Sequence, residues 1–166
     1  MKRVHLLILG AIACLGMASC GVSRTATTPP AATTTMECTQ ITGDGNFIVE
    51  VQCNGRNVDE ATESALVYAV RALLFVGIPG SSTNRIQSQK PLIKDAEVIM
   101  TKQAYFQNLF DSGDYRLYAE TLPNIVPKVV KVNGSYKVTV SIILKKNLLR
   151  KRLENDGIIK SLGNTL

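Results

Sequence analysis

The chain has no tryptophan, and its only histidine is His5. Everything beyond that position is therefore without imidazole. This excludes Ser-His-Asp and Cys-His nucleophile systems and zinc sites built on histidine. Aromatic residues make up 5% of the sequence, too thin a supply for a sugar groove, which relies on stacked rings. Cysteine is sparse as well, at four residues, with Cys38 and Cys53 fifteen apart and no further thiol near them to complete a metal site. "GIPGSS" at 77–82 lacks the lysine of a phosphate loop and follows a helical pattern instead of a strand, so it reads as a helix stop. "GDGN" at 43–46 has one carboxylate where a calcium loop needs several, and reads as a turn. No internal repeat is visible.

What is present begins with an address. Met1-Lys2-Arg3 is followed by "VHLLILGAIACLGMA", an apolar run long enough for a signal-peptide core but short of the ~20 residues a membrane span needs. Ala18 and Ser19 then precede Cys20. This arrangement resembles the lipobox of bacterial lipoproteins, with Met17 where leucine is commonest. The resemblance implies a signal peptide at 1–19, removed on maturation, and acylation of the Cys20 thiol. "GVSRTATTPPAATTT" after it has no apolar periodicity, so 20–36 reads as a lipidated flexible tether. Residues 37–166 then form one domain.

Within that domain "NFIVEVQCNG" alternates, placing Phe47, Val49, Val51 and Cys53 on one face of a strand. "CTQIT" is its expected hairpin partner across the 43–45 turn. Asn57 is an N-cap with Glu60 as capping-box partner, and the helix runs to about Val76 before Gly77 and Pro79. Ala61, Ala65, Ala69 and Ala72 stripe it, so it can lie close against a sheet. "SSTNRIQSQKP" is a loop, and a second helix covers 95–113, capped by Asp95 and stopped by Gly113. "IVPKVVKV", Asn133-Gly134 and "SYKVTVSIILKK" form a hairpin, because Asn-Gly suits the two-residue type I′ turn. Asn147 caps a short helix ended by Gly157, and Ile158-Ile159 pack the tail back. The expected fold is α+β: an antiparallel sheet with the long alanine-striped helix and the second helix on one face, plus a short C-terminal helix.

An oxidising compartment permits a bond between Cys38 and Cys53. In the simplest hairpin register, however, Cys38 faces Glu50 and Cys53 lies three positions further, roughly 10 Å away at ~3.4 Å per residue. That exceeds the ~7 Å limit between bridged Cα atoms, so a disulfide needs a bulge or another register. The formal charge of +6 includes Lys2 and Arg3, and the basic residues crowd the C-terminal part, notably "KKNLLRKR". Lys145, Lys146, Arg150, Lys151 and Arg152 are either a solvated helix face or a surface for anionic lipid or an acidic protein. An envelope location excludes nucleic acid as their partner.

The order of these elements is similar to the α/β domain in the amino-terminal part of the flagellar protein FlgT and of related bacterial lipoproteins. There, too, a strand leads into an alanine-striped helix and a late "G-x-Y-x-V-x-V" strand completes the sheet. Gly134, Tyr136, Val138 and Val140 stand in those positions here. The leader, tether and size also resemble accessory lipoproteins of Bacteroidetes envelope machines, including the TssQ family of type VI secretion lipoproteins. Gly21 after the cysteine resembles the pattern for outer-membrane sorting, and "GVSRTA" lacks the acidic residues of surface-exported relatives.

Together these resemblances imply a non-enzymatic lipoprotein anchored in the outer membrane, facing the periplasm and needing no cofactor or metal. It would act as a structural or assembly component of an envelope-spanning machine such as a secretion system, through a protein partner. The alternative is a ligand- or peptidoglycan-binding module. A carboxylate hydrolase using two of Glu50, Asp111, Asp114 and Glu120 is a third, although nothing in their spacing selects them. An exposed apolar patch on 65–76 or around 106–110 favours assembly, and a closed apolar cavity favours ligand binding. Two acids within about 10 Å across a cleft are required for hydrolysis.

Overall fold

The computed structural model describes residues 34–161. The leader at 1–19, Cys20 and most of the tether lie outside the described residues. Among the described residues, five antiparallel strands and four α-helices form an α+β fold. The strands are β1 (Thr35–Ile41), β2 (Phe47–Gly55), β3 (Ala119–Thr121), β4 (Lys128–Val132) and β5 (Ser135–Leu144). β1 starts at Thr35, so the last two residues read as tether, Thr35 and Met36, belong to the sheet.

β5 is the organising strand. One of its edges pairs with β2 along nine positions, from Gly55 opposite Tyr136 to Phe47 opposite Leu144. Its other edge is divided, with β4 taking Ser135–Thr139 and β3 taking Ile142–Leu144. The β4–β5 turn has φ of 48° at Asn133 and 83° at Gly134, the two left-handed positions a type I′ turn requires. β3 is too short to show a period in sequence. It is held by burial of Tyr115, Tyr118 and Ala119 around a preceding 3₁₀ turn, Asp114–Leu117.

The expected alternation sets the core. Phe47, Val49, Val51 and Cys53 of β2 and Val138, Val140, Ile142 and Leu144 of β5 are all buried. The helix α1 (Val58–Arg71) lies over them with its alanine stripe. Ala61, Ala65 and Ala69 have no exposed surface, and Gly55 permits the close approach: a Cβ there would meet the Ala61 backbone nitrogen at 2.6 Å. Asn57 caps α1 through Glu60 N at 2.8 Å. The expected reciprocal bond shifts by one residue, with the Glu60 carboxylate accepting from Arg56 N at 3.1 Å and pairing with the Arg56 guanidinium.

α1 continues as a π-helical turn, Ala72–Val76, closed by Gly77 N donating to Ala72 O at 2.7 Å. The carbonyls at this helix end would otherwise be orphans. Leu73 O and Leu74 O are taken by the returning backbone nitrogens of Leu92 and Ile93, at 3.0 and 2.9 Å. The expected second helix is broken at Lys102 into α2 (Ala96–Thr101) and α3 (Gln103–Asp111). Thr101 Oγ1 donates back to Glu97 O at 2.8 Å, a bond that competes with the helical ladder and bends it.

The last helix is α4 (Lys146–Asn155). Its N-cap residue is Lys145, and Asn147 sits inside the helix with no capping role; Asn147 Nδ2 instead donates to Asp44 O at 2.8 Å, tying α4 to the β1–β2 turn. Leu149 and Leu153 reach the core, and Ile158 folds back onto Leu153 O through its backbone nitrogen at 2.8 Å, in keeping with the apolar pair in the tail.

Candidate functional site

The two cysteines lie far apart on the same side of the sheet. Cys38 pairs with Val49, whereas Cys53 is four positions further along β2. At ~3.4 Å per residue that is about 14 Å, twice what a disulfide tolerates. A bulge is present between Cys38 and Gln40, but it moves Cys38 away from Cys53, from Glu50 to Val49. Both thiols are free and buried. Burial raises their pKa, so neither is poised as a thiolate nucleophile.

The basic run on α4 is divided by the helix period. Lys145 Nζ pairs with Glu120 at 2.8 Å, Arg150 Nε with Glu154 at 2.8 Å, and Arg152 with Asp156. Lys146 Nζ stands 5.1 Å from the centroid of the Phe47 ring. The surface is thus a mixture of ion pairs and a cation over a ring, and Lys151 stays exposed beside it. Lys146 and Arg150 face one flank of the helix; Lys145, Lys151 and Arg152 border the other, with Leu117 and Leu148 exposed there.

Asp156 also accepts from Tyr105 Oη at 2.7 Å, which fastens α3 to the end of α4. These bonds from Tyr105 and Arg152 hold the Asp156 carboxyl below its ordinary pKa. Burial, and then the bond to Asp156, push Tyr105 up to about 12. A depressed carboxylate stabilises the fold above its unfolded pKa and loses that contribution as pH falls through the folded value. Asp156→Asn should therefore lower the denaturation midpoint at pH 7, and the gap from the parent chain should narrow at pH 3.

The candidate carboxylates lie on four separate elements, Glu50 on β2, Asp111 on α3, Asp114 in the 3₁₀ turn and Glu120 on β3. Glu120 is committed to Lys145. Glu50 lies opposite Glu37 and Ser141 on the sheet, and Asp111 lies at the rim of a shallow groove beside Arg71 and Phe110. Among the described residues, no group of three or more His, Cys, Asp or Glu is placed to hold a metal ion.

The two regions where an exposed apolar patch would favour assembly, 65–76 and 106–110, are largely covered. Leu66, Val70, Leu73 and Leu74 are buried, as are Phe106 and Leu109, although Tyr68 and Val76 reach solvent. Exposed apolar residues cluster at β4 and the segment just before it. All five of its residues are exposed, and Val126 and Val130 are 85% and 57% accessible, with Ile125, Val129 and Val132 beside them. The tight turn makes Val132–Ser135 a hydrogen-bonded pair, so alternation leaves Val129 and Lys131 with N–H and C=O directed away from β5. The sequence carries a signal for this: "KVVKV" does not alternate, so it places valines on both faces of a strand. No family model, curated protein or solved structure matches the chain.

Proposed function

We propose that this chain is a non-enzymatic lipoprotein, held in the outer membrane by acylation of Cys20 and facing the periplasm. Its domain serves as a structural or assembly component of an envelope-spanning machine such as a secretion system. The leader and tether support the anchoring half of this reading. The assembly half is carried by the β4 edge, which offers two outward N–H groups, two outward carbonyls and a cluster of exposed valines. Such an edge can accept a strand from a partner, with main-chain bonds giving affinity and side chains giving choice.

Lys131→Pro is the discriminating substitution. It removes one outward donor while leaving the bonds to β5 in place, because proline is tolerated where the N–H of an edge strand faces solvent. A photocrosslinking residue at Val126 of the native chain should trap one discrete envelope protein, and Lys131→Pro should abolish the adduct. A native protein extracted from membranes alone and monomeric, or an adduct indifferent to Lys131→Pro, overturns the assembly reading. Cys20→Ser should release the chain from the membrane fraction; an unchanged fraction without acyl label on the parent chain overturns the anchor.

A further inference from the structure

A second surface, remote in sequence from β4, carries a different chemistry. Residues 88–95 with Val98, the inner flank of α4 and the tail at 157–160 line an open groove of about 990 Å³. Its cations are Lys90, Lys94, Lys146, Arg150 and Lys160, and its one carboxylate is Asp95. Asp95 is already engaged as the cap of α2, accepting from Glu97 N at 2.9 Å. Arg150 shares its charge with Glu154, and Lys146 leans on Phe47. Lys90, Lys94 and Lys160 are exposed, and no ion pair holds them among the described residues.

The floor is apolar. Ile93 and Ile158 are buried, and Leu92, Val98 and Ile159 are half-buried. It is also fixed, since Leu92 and Ile93 are bonded to the end of the π-helical turn and Ile158 to Leu153. The groove therefore joins a rigid hydrocarbon surface to a rim of lysines drawn from separate segments of the chain. Uncompensated cations beside apolar carbon match a ligand that is anionic at one end and apolar next to it.

We propose that this groove binds the anionic headgroup of a phospholipid, with the phosphate oxygens among Lys94, Lys146, Arg150 and Lys160 and the adjoining carbons along Leu92, Val98 and Ile159. Among the described residues that line it, none is aromatic, so a nucleobase has no ring on which to stack. This inference is independent of the β4 edge and of the partner assigned to it.

The test uses the isotope-labelled full chain in neutral maltoside micelles doped with phosphatidylglycerol or phosphatidylcholine, with amide shifts of 88–98 and 157–160 read against lipid fraction. Phosphatidylglycerol should saturate these shifts at a fraction at least about tenfold lower than phosphatidylcholine does. Lys94→Gln and Lys160→Gln should each weaken binding about fivefold, the effect of one cation near an anionic lipid surface. Lys128→Gln on β4 should leave it unchanged. Equal response to both lipids, or indifference to the two groove substitutions, overturns the proposal. Inorganic phosphate or an acidic peptide that saturates the same shifts as readily as phosphatidylglycerol also overturns it, assigning the groove to a soluble anion or to a protein.

Discussion

Gly77→Ala should be among the most damaging single-methyl additions the domain can receive, costing about 3–5 kcal/mol from backbone strain and overpacking together. Gly77 sits at φ 102° and ψ 169°, a region open essentially to glycine alone. A Cβ built there would lie 2.4 Å from Gln89 O. That oxygen cannot easily withdraw, because it accepts from Ile78 N at 2.9 Å, while Gln89 N returns a bond of 2.8 Å to Ile78 O. Relief would have to come from the 78–89 connection, and with it the Leu92 and Ile93 bonds to the helix end. Chemical denaturation should show the loss, and amide shifts at 88–94 should move with it. Gly134→Ala provides the contrast: φ is 83°, but nothing lies within 4 Å of the added carbon, so about 1–2 kcal/mol of local strain is the whole expected cost.

Phe47→Ala should cost about 3–5 kcal/mol, the usual range for emptying a buried aromatic site. Phe47 is 2% exposed at the start of β2, opposite Ile41 on β1 and Leu144 on β5. It is therefore the point at which three strands and α4 meet, with the Lys146 ammonium over its ring. Phe47→Leu keeps most of the volume and should cost about 1 kcal/mol. Denaturant midpoints for the two variants, with an unchanged slope, would show that the loss is one of packing. A cost for Phe47→Ala no larger than for Phe47→Leu would mean that neighbouring side chains collapse into the space.

Elements whose cause is local are legible in the amino-acid sequence alone. The β2 strand follows from strict alternation, the start of α1 from Asn57, the β4–β5 turn from Asn-Gly, and the alanine stripe from helical spacing. Elements held by distant partners are not legible there. β3 exists because β5 has an edge left over beyond β4 and because Tyr115 and Tyr118 find the core. The π-helical turn exists because Leu92 and Ile93 return to satisfy its carbonyls. A bulge in β1 is compatible with the sequence, but its direction cannot be read from it, and that direction separates Cys38 from Cys53.

The same division runs through the candidate surfaces. The basic run at 145–152 is visible as charge, yet a helix sends its neighbours to different flanks. Acids at Glu120, Glu154 and Asp156 then neutralise part of it. Lys90, Lys94 and Lys160 carry no sequence signal at all, since each is an isolated lysine in an irregular segment until folding gathers them around one groove. By itself the sequence determined the pattern of strands, helices and turns, because those depend on neighbours within a few positions. Only the tertiary structure decided which surfaces stay open, because exposure of β4 and the groove depends on where the helices end over the sheet, and that is set by packing across the whole domain.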